Sequence, residues 1–167
     1  ENSTYSTAGS NFWGHIYQPF LHIQDQKSSG TAGGTATAGS WLTRDLNTIA
    51  WDEIGTTTSS NQFTLPIGTY YIKAWVPAYK VGFHRARLYK ITSPAAVILI
   101  GVSSGTAYSG YWITNSSTIN GRFTISTTTT LEIQHIVGVT RTDSGFGRQT
   151  TFGVEEIYTD VKIWKVS

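Results

Sequence analysis

Ten carboxylate side chains and four histidines carry the acid–base and metal-binding capacity of this 167-residue chain. Their spacing argues against both uses. A glycan-cleaving site needs two carboxylates at a defined separation. Glu155 and Glu156 are neighbours, so on a strand they point to opposite faces. Asp52 and Glu53 fall beside a turn, expected at the base of the domain. His15, His22, His84 and His135 make neither an H-x-x-H nor an H-E-x-x-H pattern. His22 and His135 sit beside apolar residues in strand-like runs and read as satisfied, partly buried histidines. A metal on a threefold axis, with one His per subunit, is the alternative reading, and no metal site is assigned. Cysteine is absent, which removes disulfides, thiolate ligands and Cys nucleophiles together. Ser109 and Ser144 lack the G-x-S-x-G frame. The expectation is a protein that is not an enzyme and uses no cofactor.

Binding chemistry is better represented. The run GTAYSGYWITNSS, 105–117, offers Tyr108, Tyr111 and Trp112 as flat apolar faces with polar rims, and Asn115 as donor and acceptor. The run VTRTDSGFGRQTT, 139–151, offers Arg141, Asp143 and Arg148 as charges and Phe146 as a further ring. Gly145 and Gly147 there let a backbone come close. Tyr79 opens a third segment, 79–83. Such rings suit sugars, and the Arg fork suits an acidic glycan. Trp112 and Phe146 can equally be hydrophobic plugs beneath the loops.

The elements that position these residues are strands. Aromatics make up 13% and charged residues 13%, the latter about half the usual share. Short β-branched and aromatic runs recur between Gly, Ser, Asn and Thr, with no sustained helical period. Strands are expected over 20–26, 41–47, 48–51, 63–65, from 69 to about 79, 84–92, 96–103, 121–126, 130–137 and 155–166. The segment 27–40 reads as a flexible loop and 56–60 as a polar turn. Residues 1–15 read as a linker or shaft end, and 16–167 as one domain. The absence of Met points to a piece of a longer chain. With no internal repeat, a two-sheet antiparallel sandwich of jelly-roll topology is the natural architecture.

Two strands are apolar on both faces. Tyr71 and Trp75 lie opposite Tyr70, Ile72, Ala74 and Val76; Tyr158, Trp164 and Val166 lie opposite Val161 and Ile163. A second covered face predicts a subunit interface through Tyr71, Trp75, Tyr158 and Trp164. The formal net charge is only +2 and the sole cationic cluster is His84-Arg85-Ala86-Arg87, so nucleic acid is not an expected partner. No apolar stretch approaches a membrane helix, so membrane insertion is not expected.

The block FTLPIGTYYIKA resembles the strand-turn-strand signature of the complement globular-head and tumour-necrosis-factor jelly rolls. The chain is also similar to C-terminal domains of tailed-bacteriophage tail fibres. The residues that carry this are Gln24-Asp25-Gln26-Lys27, Thr43-Arg44-Asp45-Leu46-Asn47, Arg85-Ala86-Arg87-Leu88-Tyr89, the INGRFTI run, Leu131-Glu132-Ile133-Gln134-His135 and Gly145-Phe146-Gly147, in that order. The resemblance implies a homotrimeric head at the tip of a virion's tail fibre. It would be joined to the remainder of the shaft and would recognise bacterial surface polysaccharide or lipopolysaccharide. Strand parity then puts 79–83, 105–117 and 139–151 at the far end and both termini at the base. A structural trimerisation cap without ligand, and a free lectin-like protein, are the alternatives.

Overall fold

The computed structural model describes residues 17–107, 110 and 113–167. The expected linker, 1–15, lies outside them. Among the described residues there are twelve strands and no helix. They form two antiparallel sheets. The strands of the first are β1 (Phe20–Lys27), β3 (Thr48–Asp52), β6 (Gly68–Tyr79), β10 (Thr114–Ile125) and β12 (Glu156–Lys165), in the order β10-β6-β12-β1-β3. The second runs β4 (Thr57–Ser59), β5 (Gln62–Leu65), β11 (Thr129–Val137), β7 (Phe83–Lys90) and β8 (Ala96–Ile100). Two short strands, β2 (Leu42–Thr43) and β9 (Ser104–Gly105), add to β11 and β7.

The expected sandwich is therefore present, and alternation builds it. In β6, Tyr70, Ile72, Ala74 and Val76 turn inward while Lys73 and Trp75 turn out. The inward residues meet Phe63, Leu65, Leu88, Leu131 and Ile133 of the other sheet in one core. Burying such side chains is worth about 1.5–3 kcal/mol each. Ser117 stitches the sheets at one edge: its Oγ accepts the Ala86 N–H at 2.9 Å and donates to the Val102 carbonyl at 2.7 Å.

Three local expectations need correction. β10 starts seven residues before position 121, because its polar first half pairs residue by residue with the end of β6. Backbone bonding made a strand there without an apolar pattern to announce it. The supposed turn at 56–60 is strand β4, and the reversal sits at Ser60 and Asn61, whose φ values of 52° and 65° suit a tight hairpin. Of the expected 41–47 strand, only Leu42 and Thr43 join a ladder; Arg44 turns into the interior.

Both ends of the described chain meet at one pole. The Lys165 N–H donates to the Pro19 carbonyl at 2.9 Å, and the Thr69 N–H to the Ser167 carbonyl at 2.7 Å. The three loops of interest lie at the opposite pole.

Candidate functional site

Four segments, not three, weave the far pole. The Val139 N–H donates to the Val81 carbonyl and the Thr106 N–H to the Gly82 carbonyl, each at 2.8 Å. These bonds bring 79–83, 105–107 and 138–151 together, as strand parity predicts. The fourth segment is 28–40, expected to be flexible. Instead Ala36 and Arg141 exchange both backbone bonds, at 3.0 and 2.9 Å, and Gly33 donates to the Gly147 carbonyl at 2.9 Å. Gly145 and Gly147 permit this closeness. A Cβ on Gly145 would lie 2.6 Å from the Ala36 Cβ, and one on Gly147 only 2.1 Å from the Tyr158 ring.

Beneath the loops lies a buried polar stack absent from the expected site. Arg44 is 0% exposed. Its Nε donates to Thr159 Oγ1 at 2.8 Å, and its terminal nitrogens to the carbonyls of Pro77 and Phe146 at 3.0 and 2.9 Å. The Phe146 ring sits 4.2 Å from the guanidinium carbon and stacks on His135 at 5.7 Å. Burial lowers the Arg44 pKa to about 10, offset in part by Asp25 and Asp45. An Arg44 N–H also points at His135 Nδ1 over a long 3.4 Å. That makes Nδ1 an acceptor and puts the His135 proton on Nε2, which lies 2.9 Å from His84 Nδ1. Burial lowers the His84 pKa to about 4 and that of His135 to about 2, with the Arg44 charge adding to both. Both rings are neutral at pH 7.

Phe146, offered by the sequence as a ligand face or a plug, is placed as a plug. Tyr79 is likewise only 1% exposed and is a floor, not an open platform. Around its ring stand three cations: Lys80 at 5.5 Å, Arg141 at 5.7 Å and Arg148 at 5.5 Å from the centroid. Asp143 is exposed at the same pole, with its N–H donating to Thr35 Oγ1 at 3.0 Å. Asn115 sits on β10 rather than in a loop, with Nδ2 donating to the Gly105 carbonyl at 3.3 Å. Tyr108, Tyr111 and Trp112 lie outside the described residues.

Beside the loops, the second sheet bears a groove of about 510 Å³ lined by Trp41, Phe83, Arg85, Ser103 and Ser104 among others. Phe83 is 86% exposed. Arg87 lies across the Trp41 ring at 4.0 Å and the Tyr89 ring at 4.6 Å. Sequence reading offered the segment 79–83 but singled out only Tyr79, because Lys80 and Phe83 fall in a turn-like run, YKVGF, with no periodic signal.

The outward face of the first sheet is aromatic as expected. Trp75 is 41% and Trp51 57% exposed; Tyr71 and Trp164 are half-buried with ring centroids 6.2 Å apart. Lys162 stands 5.0 Å over Trp75 and donates to Asp160 at 2.7 Å. Asp160 also accepts from Gln24 at 2.8 Å and contacts His22. Its burial is outweighed by these bonds, and its pKa is lowered. Tyr158 does not join this face, contrary to expectation. The register against β1 shifts between Gln24 and Gln26, so two residues of β12 face one of β1. That bulge reverses the parity and turns Tyr158 inward, where its hydroxyl donates to the Thr31 carbonyl at 2.8 Å. Burial, then the charges of Glu156 and Asp25, push its pKa up to about 12.

These features define an all-β jelly-roll domain whose woven loop pole is cationic and whose first sheet keeps an uncovered aromatic face. Among solved structures, the chain is similar to the globular domain of a zebrafish complement 1qA protein, with a TM-score of 0.56 and 12% identity over 89% of this chain and 98% of that one. It is also similar to murine APRIL, with a TM-score of 0.52 and 10% identity over 90% of this chain and 100% of that one. At such identities the likeness is one of fold. No protein-family model matches the chain, and no curated protein matches it by sequence.

Proposed function

We propose that the chain is a non-enzymatic receptor-binding head, homotrimeric, which tips a bacteriophage tail fibre and adsorbs to bacterial surface glycan. One observation carries the reading: four segments, two of which bring cations, are gathered at the pole opposite both ends of the described chain. A shaft attached at the base leaves that pole free to meet a cell. The aromatic outward face supports the trimer, since contiguous exposed rings of that kind ask for a covering surface. The second reading, a trimerisation cap without ligand, draws on the burial of Tyr79 and Phe146, which makes the pole look like a sealed lid.

Adsorption of the purified protein to candidate host cells and their extracted envelope glycans decides between the two. Under the first reading, replacing the exposed parts of 79–83 and 139–151 abolishes adsorption while the fold persists. Adsorption that survives this replacement favours the cap.

A further inference from the structure

We infer that the ligand of the loop pole is a saccharide bearing an anionic group, and that Lys80, Arg141 and Arg148, gathered around the buried Tyr79 ring, together hold that group. The inference rests on the pole being the binding surface and specifies what it binds.

The three charged heads share one ring, at 5.5, 5.7 and 5.5 Å from its centroid. No two of them can therefore be more than about 11 Å apart, close to the Debye length of ~10 Å at 0.1 M salt. Salt therefore screens their mutual repulsion only in part. A Tyr face attracts cations, but by only about 0.5–1 kcal/mol at exposed sites. Among the described residues, neither Lys80 nor Arg141 has a carboxylate within ion-pair distance. Asp143, two residues from Arg141, is exposed and joins no ion pair among the described residues. Like charges gathered on a rigid frame are stabilised when an anion enters between them.

The backbone adds an independent sign. Lys80 has φ = 52°, a left-handed conformation that glycine or asparagine adopts more cheaply. The frame around it is fixed: Val81 donates to Thr106 Oγ1 at 2.9 Å, and the Tyr79 N–H to the Gly145 carbonyl at 3.0 Å. A lysine in a strained turn, beside two arginines delivered from another loop, fits a site and not a scaffold. Two arginines offer forks for carboxylate or phosphate oxygens. The serines and exposed Phe83 of the adjoining groove supply hydroxyls and a ring face for the neighbouring sugar.

The test is calorimetric titration of the full chain at low and raised salt with trigalacturonate, glucose 6-phosphate, maltotriose and a short thymidine oligomer. The first two distinguish a carboxylate from a phosphate as the anionic group. Binding of at least one of them, weakened by salt, with maltotriose at least tenfold weaker, is expected. The triple substitution Lys80→Met, Arg141→Gln, Arg148→Gln is expected to lower the affinity by about tenfold or more, with an unchanged melting curve. If the triple variant does not fold, Lys80→Gln alone carries the test, with an expected loss of about threefold. Maltotriose binding as tightly as the acidic sugars, the thymidine oligomer outcompeting them, or variant affinities equal to the parent's each overturn the inference. A head that adsorbs to cells through its loops yet ignores acidic sugars overturns this inference alone and leaves the binding-head reading standing.

Discussion

Arg44 shows how a single residue governs the loop pole. Its side chain is fully buried and donates to two main-chain carbonyls, those of Pro77 and Phe146. Arg44→Met keeps the volume and loses every donor, leaving those carbonyls buried and unpaired. The expected cost is about 3 kcal/mol, a fall of roughly 6–12 °C in melting temperature for a chain of this size. Melting within a degree of the parent would show that the stack does not hold the loops. The histidines beside it predict the pH response. Their folded pKa values lie below the ordinary value, so the unfolded chain takes up protons that the folded chain refuses. Stability is full above about pH 6.5 and falls as pH drops towards 4, by about 1.4 kcal/mol per pH unit for each ring. Glu156 adds to the loss at lower pH. Main-chain donors Thr150 and Thr151 chiefly hold its carboxylate near a pKa of about 2, so that contribution fades below the ordinary carboxylate range. Asp25 works in the opposite sense, since burial raises its pKa and protonation relieves a cost. Urea titrations from pH 7.5 to 4.5 read the sum, and His135→Gln is expected to flatten the slope. Parallel slopes for the variant and its parent would contradict the assignment. Only the burial of His135 was legible in the sequence: Arg44 reads there as one more polar residue in a short strand, and two histidines 51 positions apart meet only because β7 pairs with β11.

At the scale of elements, alternation was a faithful guide where one face is apolar and the other polar. β6 is the clearest case, with its inward and outward sets read correctly from Tyr70 to Val76. It failed where an extra residue resets the period, as at the bulge of Tyr158 and Thr159, and where the main chain alone makes the strand, as in the first half of β10. Segment 28–40 misled for a related reason. Its small residues look flexible, yet smallness is what lets Gly33 and Ala36 lie against 141–147. Gly145→Ala tests that packing. The new methyl would meet Ala36 and the Arg141 carbonyl well inside contact distance. The expected cost is about 1–3 kcal/mol, with faster hydrogen exchange at the Gly34 and Ala36 amides. Unchanged exchange at those two amides would mean that the segments are less tightly coupled than their bonds suggest. The described parts of the three expected loops, 79–83, 105–107 and 139–151, lie at one pole, because hairpin parity needs only the strand count between them to be odd or even.

For the whole molecule, the proposed trimer turns on the aromatic face of the first sheet. Trp75 lies on β6, beside Lys162 of the central strand β12. With a trimer built on this face, Trp75→Glu places three like charges in a dry interface. Light scattering at micromolar concentration is expected to give the mass of three chains for the parent and one for the variant, with circular dichroism unchanged. A parent that runs as a single chain would remove the trimer and leave the rings as ordinary exposed aromatics. The pairing of the two chain ends at the base carries a mechanical meaning. A tether attached at Pro19 would pull along β1, which is flanked by β12 on one side and β3 on the other. Tension in that direction loads both ladders in shear, so their bonds must fail together instead of unzipping one at a time. A head clamped to a surface by its opposite pole would thus bear a tug through its stalk on the two ladders that β1 shares with β12 and β3.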